Sequence, residues 1–476
     1  MSTAVVIGGG ISGLSAAYYL QKHAGEKIGK IILLESSKRV GGWMNSTRHA
    51  DGAIYESGPR SLRIVGKPGR NALNLIEDLN LENEILPLTS NNAAAKNRYL
   101  YVNGALCALP NNYMGFLRRQ DPFSRSLLWQ FAGEIFKTRS DLEDDSIYNF
   151  FSRRVSKEFA DIAVDSMCRG IFAGNCRNLS MKACFKDIFN LEKTHGSIVL
   201  GLLRYPKVPA DELKPKLIQK ARSEKWASYS FKSGLQQLSD TLLDAISNHK
   251  MVDIRLSSPV QKMNLKDNGR ISVITDEDEI QADYVLSSVY SKNLAAMLNS
   301  DNNYLKSHLN AISAVSCAVV NLEYEGNLLP VQAFGHLTPS SESGPILGII
   351  YDSCLFPSHD SNKNIPTTRL TVMLGGSWSE QLKTNGSWMS EADITNMATK
   401  AVRDHLKISN EPIRSKISLL DNCIPQYKVG HTNILSRMDK FIEDKNLPLY
   451  LIGSSYRGVS VNDCILNSKL AVEKIV

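Results

Sequence analysis

The chain of 476 residues is 43% hydrophobic and 22% charged, which is the composition of a globular protein with two or three domains. Its net charge of +7 suits an anionic substrate or an anionic membrane surface, whereas the absence of a Lys/Arg run with interleaved aromatic residues argues against nucleic acid. Its eight cysteines form no CxxC pair and its nine histidines no HxxxH pair, so the sequence predicts neither a disulfide framework nor a metal site.

The chain begins with a glycine-rich turn between a strand and a helix. Residues 4–13 read AVVIGGGISG, an apolar run that breaks into Gly-x-Gly-x-x-Gly, and the later run IILLE ends on an acidic residue. Glycines at this spacing let backbone amides approach a pyrophosphate at the helix N-terminus, while the carboxylate holds the adenosine ribose. The sequence therefore predicts a dinucleotide-binding unit with contacts from Gly8, Gly9, Gly10, Ile11, Ser12, Gly13, Glu35 and Ser36.

A second glycine pair narrows the cofactor to FAD. The chain continues SSKRVGGWMNS after Glu35, which places Gly41 and Gly42 just beyond the predicted ribose-binding carboxylate. A nicotinamide enzyme does not need this pair, whereas the longer body of FAD requires a second close backbone approach. A rigid turn in YESGPRSLR is predicted near the isoalloxazine ring, although Arg60 is equally compatible with a solvated surface charge. The residues predicted at FAD in this turn are Gly58, Pro59, Arg60 and Ser61.

The segment from about Lys96 to Pro209 is predicted to be mainly helical. Residues 123–137, FSRSLLWQFAGEIFK, favour one amphipathic helix with Leu127 or Leu128, Phe131 and Ile135 on one face. That face is compatible with a lipid surface and with burial in a core, and no apolar run in the chain approaches the roughly 18 residues that span a bilayer. Basic residues flank the helix, namely Arg118, Arg119, Arg125, Lys137 and Arg139.

Two later segments are predicted to complete the cofactor domain around a substrate domain. Residues 226–289 read as a helix followed by strands, and the C-terminal stretch reads as a strand at 449–452, a polar loop and a helix from about Val461. A helix N-terminus aimed at a flavin stabilises negative charge on the ring, which predicts Val459, Ser460 and Val461 beside FAD, although an ordinary terminal βα unit has the same pattern. Residues 300–424 are β-rich and suit a wall that holds a substrate.

Motifs along the whole chain resemble the protoporphyrinogen oxidase family, within the superfamily of monoamine oxidases and phytoene desaturases. They are GGGISGLSAAYYL, ESSKRVGGW, NRYLYVNGALCALP, CRGIFAGN, FGHLTPSSE, LGIIYDS, TVMLGGSW, CIPQY and GVSVNDCI. The resemblance implies non-covalent FAD and a six-electron oxidation of protoporphyrinogen IX to protoporphyrin IX, with dioxygen as acceptor and hydrogen peroxide as by-product. It implies no acid or base residue, because the flavin accepts a hydride from a methylene bridge that the flanking pyrroles activate.

The resemblance also implies an α/β fold with a Rossmann-like FAD-binding domain, a β-rich substrate domain and a mainly helical membrane-associating insertion. The predicted boundaries are 1–92, 210–299 and 425–476 for the FAD domain, 93–209 for the insertion and 300–424 for the substrate domain. Arg98 is expected to pair with a propionate, and Leu337 and Ile350 to clamp a pyrrole, although the residues alone predict a surface charge and core packing. Further implied contacts are Arg169 and Gly170 for the substrate, and Trp43, Val260 and Leu419 for FAD.

Location and partners follow from the same resemblance. It implies a peripheral protein on the outer, intermembrane-space face of the mitochondrial inner membrane, close to ferrochelatase, and it is compatible with a homodimer. The first strand begins at about Ala4, so we expect no cleavable presequence and an internal address instead.

Two alternatives share the scaffold. One is an amine oxidase or a carotenoid-type desaturase, and the other is a non-catalytic escort of prenylated GTPases, similar to a GDP-dissociation inhibitor. Neither Cys423 nor Cys464 lies in a context typical of the covalent flavin of amine oxidases. The intact Glu35 and Gly41–Gly42 argue against an escort, which need not keep them.

Overall fold

The computed structural model describes residues 1–23, 25–204, 208–265, 269–342, 344–361 and 365–476. Its centre is a five-stranded sheet in which every neighbouring pair is parallel. Three distant parts of the sequence meet in this sheet, which confirms the predicted α/β fold. In spatial order its strands are Val252–Arg255, Ile28–Leu34, Ser2–Ile7, Tyr284–Ser287 and Leu449–Leu451.

Both faces of the parallel sheet are covered, as the unbroken apolar run in its central strand requires. Ala4 and Val6 pack into one core, which contains helices Ile11–His23, Gln237–Ser247 and Val461–Val472. Val5 and Ile7 pack into a second core on the opposite face. The elements of that second core are the antiparallel strands Lys262–Leu265, Ile271–Ile274 and Glu279–Ala282 and the helices Ser291–Met297, Asn303–Ala311 and His431–Asp444.

Shorter elements surround these two layers. Two small antiparallel sheets consist of Ser46–Arg48 with Ile54–Glu56, and of Leu62–Arg63, Trp226–Phe231 and Ile85–Thr89. Strands Lys383–Thr384 and Ser387–Trp388 form a separate pair. Helix Ala93–Lys96 begins the insertion. The remaining helices outside the insertion are Gly66–Asp78, Glu82–Glu84, Ala210–Leu213, Lys216–Ser223, Ser300–Asn302, Asp352–Leu355, Pro357–His359 and Ser379–Leu382.

A seven-stranded sheet forms the β-rich domain, and helix Glu391–Leu406 packs on one of its faces. Its pairs are antiparallel except that Gly335–Leu337 runs parallel to Tyr99–Val102. In spatial order its strands are Arg414–Pro425, Ala314–Glu325, Thr367–Gly376, Ile346–Ile350, Gly335–Leu337, Tyr99–Val102 and Ala105–Ala108. The last two strands fall in the segment predicted as mainly helical. They join the sheet because Leu100, Val102 and Cys107 pack against Leu337.

The rest of that insertion is helical and has its own aromatic core around Phe150 and Phe151. The single amphipathic helix predicted for residues 123–137 is interrupted at Gly133, a residue with low helix propensity. Phe131 packs against the aromatic core, while Leu128 and Ile135 are exposed. The helices are Tyr113–Leu117, Leu127–Ala132, Glu134–Phe136, Ile147–Arg154, Lys157–Phe159, Ala160–Val164, Asp165–Phe172, Met181–Cys184, Lys186–His195 and Ile198–Leu203. No helix within the described ranges is long and apolar enough to cross a membrane.

Candidate active site

The glycine-rich turn is packed so tightly that two of its glycines cannot carry a side chain. A Cβ atom on Gly13 would lie 1.8 Å from the carbonyl oxygen of Gly8, and Gly8 itself has φ of +98°. A Cβ atom on Gly10 would meet nothing closer than the Cα atom of Gly42, at 3.9 Å. Among the described residues, Gly10 therefore leaves space on the side of Gly42, as close approach of a pyrophosphate requires.

Glu35 lies at the end of the second strand, where the backbone holds its carboxylate. Oε2 accepts a hydrogen bond from the N–H of Gly9 at 2.6 Å, and Oε1 accepts one from the N–H of Ser37 at 2.8 Å. The same carboxylate borders a cavity of about 360 Å³ together with Gly8, Ser36 and Val260. Oε1 also accepts from the hydroxyl of Ser36 at 3.4 Å, whereas Oε2 keeps a lone pair for a hydroxyl donor, so these residues fit the ribose end of a dinucleotide.

The segment from Gly58 to Ser61 joins the cofactor domain to the β-rich sheet. Gly58 packs on the backbone of Trp43, whose side chain is 44% exposed. Arg60 is only 7% exposed, and its Nη1 donates to Oδ1 of Asp352 at 2.7 Å. The sequence left Arg60 between a flavin contact and a solvated charge. The structure gives it a third role, because its guanidinium is engaged by a buried carboxylate.

The C-terminal loop reaches both the cofactor domain and the helical insertion. Ser460 caps helix Val461–Val472 together with Asp463, whose pKa is raised by burial. Val459 packs against the aromatic core of the insertion, whereas Val461 packs against the core of the parallel sheet. The Oγ of Ser468 donates to the carbonyl of Ser12 at 2.8 Å, which joins this helix to the first one. Val459, Ser460 and Val461 thus lie at the junction of the two regions, and their contact with FAD stays a prediction.

Leu419 lies on the face of the β-rich sheet that is turned toward helix Glu391–Leu406. It packs with Ile417 in the core beneath helix Glu391–Leu406. Its neighbour Leu420 lies on the opposite face of the sheet, with Cys317 and Leu347. The structure therefore does not bring the Leu419 side chain together with Leu337, which shares a face with Leu420.

Leu337 and Ile350 project from the same face of the β-rich sheet, because Ile350 lies opposite Gly335, which is two residues before Leu337 on its strand. Leu337 pairs with Gly348, and Ile350 pairs with Gly335. Helix Asp165–Phe172 closes over them, since a Cβ atom on Gly170 would lie 2.5 Å from Cδ2 of Leu337. Leu337, Ile350 and Gly170 thus form one apolar wall, in which two glycines leave room beside the two branched side chains. Leu337 and Ile350 are the pair expected to clamp a pyrrole.

Arg169 is buried behind this wall. Its guanidinium stacks on Trp378 at 3.9 Å, and Nη2 donates to the carbonyl of Ile346 at 2.7 Å. Burial lowers the pKa of Arg169 to about 10, and Nε and Nη1 have no hydrogen-bond partner among the described residues. Its position ties the helix of Gly170 to the strand of Ile350.

Arg98 lies directly before strand Tyr99–Val102, and its guanidinium remains available to an anionic group. Nη1 donates to the carbonyls of Ala94 and Asn97, both at 3.0 Å, and the guanidinium lies 4.8 Å from the centre of the Phe334 ring. No carboxylate of the described residues pairs with it. Burial and the nearby charge of Arg63 lower the pKa of Arg98. It borders a cavity of about 280 Å³, so an anionic group can reach it.

The sequence reasoning missed two buried acids that hold the wall in place. Asp352 accepts from Arg60 and, at 2.6 Å, from Oγ1 of Thr371, which pairs with Ile350 across the sheet. Glu323 accepts from the hydroxyl of Tyr55. For Glu323 the available signal was a charged residue inside an apolar strand, because such a residue requires a buried partner; Asp352 begins a helix and gives no such signal. The described residues contain no group of three or more His, Cys, Asp or Glu side chains that could hold a metal.

Comparisons with known proteins agree with this geometry. The family model for flavin-containing amine oxidoreductases matches residues 11–476. Protoporphyrinogen oxidases from Bos taurus and Homo sapiens are each 42% identical, over 100% of this chain and 98% of theirs. The crystal structure of a protein from Exiguobacterium sp. 255-15, assigned as a protoporphyrinogen oxidase, aligns with a TM-score of 0.78 at 22% identity, covering 100% of this chain and 98% of that one.

Proposed function

This chain belongs to the flavin-containing amine oxidoreductases and, within them, to the protoporphyrinogen oxidases, and on that premise we propose how its residues divide the work of the reaction. The protein is an oxidoreductase that oxidises protoporphyrinogen with FAD. We infer that the reaction removes six electrons in three rounds, gives protoporphyrin IX and passes the electrons to dioxygen, which becomes hydrogen peroxide. The observation that carries this proposal is the apolar wall of Leu337 and Ile350 near Arg98, with which no carboxylate of the described residues pairs.

The chain's own residues bind, orient and desolvate the substrate. Bound FAD supplies the two-electron acceptor for each round. The Arg98 guanidinium holds a propionate by charged hydrogen bonds, while Leu337, Ile350 and Gly170 enclose a pyrrole and keep water away from the methylene that is oxidised. None of these three carries an ionisable side chain. The methylene is activated by its flanking pyrroles, so the wall needs to supply shape rather than a base.

The absorption spectrum of the purified protein tests the cofactor and the substrate together. Anaerobic addition of protoporphyrinogen IX should bleach the flavin bands, and a porphyrin Soret band should appear. Acid precipitation should release free FAD. Turnover of a simple amine without turnover of the porphyrinogen would contradict the proposal, and a colourless protein would favour the escort reading.

Exposed apolar side chains on the helical insertion support attachment to a membrane surface. Tyr113 is 93% exposed, Trp129 74% and Phe136 84%. The short helices that carry them contact one another, and Leu203, 80% exposed, lies on the adjoining helix. Apolar side chains with flanking basic residues are typical of proteins that lie on anionic lipid. We infer a peripheral protein of the mitochondrial inner membrane, on its intermembrane-space face and near ferrochelatase.

Sedimentation with vesicles of phosphatidylcholine and cardiolipin tests this attachment. A variant with Trp129→Ser and Phe136→Ser should remain in the supernatant while the unaltered protein sediments. Ile413→Ser is the matched control, because Ile413 is 49% exposed but lies outside the insertion. Equal sedimentation of all three proteins would contradict a membrane role for these helices.

A further inference from the structure

The cavity beside Arg98 contains a second guanidinium. Arg118, the residue that follows helix Tyr113–Leu117, borders the same 280 Å³ cavity. No aspartate or glutamate is among the described residues that line it. Two arginines that share a cavity without an acid repel each other, so the cavity favours an anionic occupant.

Three asparagines make the wall of this cavity a donor surface. The Nδ2 of Asn111 donates to Oδ1 of Asn97 at 2.8 Å, and the Nδ2 of Asn112 donates to Oδ1 of Asn111 at 3.1 Å. The Oδ1 of Asn112 accepts from the N–H of Gly115 at 2.8 Å. All three amide oxygens are therefore already acceptors within the protein. Each amide nitrogen carries two hydrogens, so N–H groups remain to face a ligand.

Arg118 differs from its neighbour Arg119 in having a free charge. The guanidinium of Arg119 lies 3.6 Å from a carboxylate oxygen of Asp121, and its Nε donates to the carbonyl of Phe123. Among the described residues the side chain of Arg118 has no such partner, and it is exposed. The two arginines thus carry the same formal charge at adjacent positions, but only Arg118 offers that charge to the cavity.

The cavity adjoins the apolar wall. Leu109 lines the cavity and also packs with Leu337 in one cluster of side chains. A ligand that contacts Leu337 can therefore extend past Leu109 into the cavity that Arg98 and Arg118 line. Protoporphyrinogen IX carries two propionates on neighbouring pyrroles.

We propose that Arg118 binds the second carboxylate of the substrate whose first carboxylate is held by Arg98. This inference rests on the proposed function, because it assumes that a dicarboxylate lies against the Leu337 wall. Arg118 then selects a substrate with two neighbouring carboxylates over one with a single carboxylate. Its contribution is smaller than that of Arg98, because Arg118 is exposed and Arg98 is half-buried.

Steady-state kinetics in detergent micelles without lipid test the role of Arg118. Arg118→Ala should raise KM about three- to fivefold, the effect of a partly solvated ion pair, with kcat unchanged. The rise in KM caused by Arg118→Ala should disappear for a porphyrinogen whose carboxyls are methyl esters. Arg118→Lys keeps the positive charge and should retain most of the affinity for the substrate. Arg119→Ala is the matched control and should leave KM unchanged. The FAD content of each variant reports that it is folded.

The outcomes separate this inference from the proposed function. If Arg98→Ala raises KM and Arg118→Ala does not, Arg118 has no role in substrate binding while the proposed function stands. If neither variant raises KM although the porphyrinogen is turned over, the carboxylate assignments of both fail. If Arg118→Ala leaves KM unchanged but weakens sedimentation with cardiolipin vesicles more than Arg119→Ala does, the cavity takes a lipid phosphate and the inference is wrong.

Discussion

The cofactor end and the substrate end of this molecule are built from different parts of the chain. At the cofactor end the predicted contacts with FAD come from backbone atoms, because Gly8, Gly10 and Gly42 have no side chains that would keep the backbone away from the cofactor. At the substrate end, Leu337, Ile350 and Arg98 project from three strands of one sheet. A site made of backbone tolerates almost no added atom, whereas a site made of side chains loses its contacts one at a time.

The largest expected effect comes from adding atoms at the cofactor end. Gly10→Val should abolish FAD retention and all activity, because the side chain would occupy the pyrophosphate space while the fold has room for its Cβ atom. The ratio of flavin to protein absorbance, with circular dichroism as the check on folding, measures this. Gly13→Ala should instead unfold the turn, since its Cβ atom would overlap the Gly8 carbonyl. A yellow, FAD-loaded Gly10→Val protein would contradict a cofactor end that is formed by backbone atoms.

The next effect concerns the link between the two ends. Arg60→Ala leaves the carboxylate of Asp352 buried without its cation, which should cost about 3–5 kcal/mol of the free energy of unfolding in urea. Arg48→Ala is the control, because its ion pair with Asp240 is about 40% exposed on both sides and should cost less than about 1 kcal/mol. Similar losses for the two variants would mean that Arg60 does not join the domains.

A smaller effect is expected at the substrate end. Arg98→Ala should raise KM roughly ten- to a hundredfold, the loss of about 1.5–3 kcal/mol from charged hydrogen bonds, with little change in kcat. FAD content should stay normal, because Arg98 contacts none of the glycines at the cofactor end. Initial rates over a range of protoporphyrinogen concentrations measure the change, and an unchanged KM rules out the propionate role.

The smallest expected effect is a pH dependence of the free energy of unfolding, which arises from two histidines behind the substrate wall. His336 precedes Leu337, and its Nε2 lies 2.9 Å from Nδ1 of His405. Burial lowers the pKa of His405 to about 4 and that of His336 well below its usual range. The unfolded chain therefore binds protons from about pH 6.5 downward while the folded protein does not. Stability should fall with decreasing pH, by at most about 1.4 kcal/mol per unit for each histidine.

His405→Phe should remove about half of that dependence, because buried His336 remains. Urea unfolding at pH 7.5 and at pH 5.5 measures the difference between the variant and the unaltered protein. If both lose the same stability between the two values, the titrating groups lie elsewhere.

The sequence predicts the local backbone elements of the molecule better than it predicts contacts between side chains that are distant in sequence. The spacing of Gly8, Gly10 and Gly13 predicts a turn between a strand and a helix, and the apolar periodicity near the C-terminus predicts a helix from Val461; both elements are confirmed. The hairpin Tyr99–Ala108 was missed because its partner Gly335–Leu337 lies far along the chain. The partner of Arg60 is 292 residues away, and no local pattern indicates it.

The strand of Leu419 shows a further reason why the position of a side chain is hard to predict from the sequence. Side chains alternate between the faces of a strand, so a shift of one residue moves a leucine to the other side. A bulge lies between Val315 and Cys317, where the strand of Leu419 pairs with its neighbour. Leu420 consequently lies on the face of the apolar wall and Leu419 on the other. A single sequence does not indicate where such a bulge falls.

The parallel sheet has a consequence for how the protein is synthesised. Strand Leu449–Leu451 completes the sheet beside Tyr284–Ser287, and helix Val461–Val472 docks on the first helix through Ser468 and Ser12. The glycine turn is translated first, but the surface against which its helix packs leaves the ribosome only after residue 472. Until then Tyr284–Ser287 is an open edge that invites pairing with other chains. Nascent chains stalled before Leu449 should therefore depend on chaperones and take up FAD only once the last strand and helix are in place.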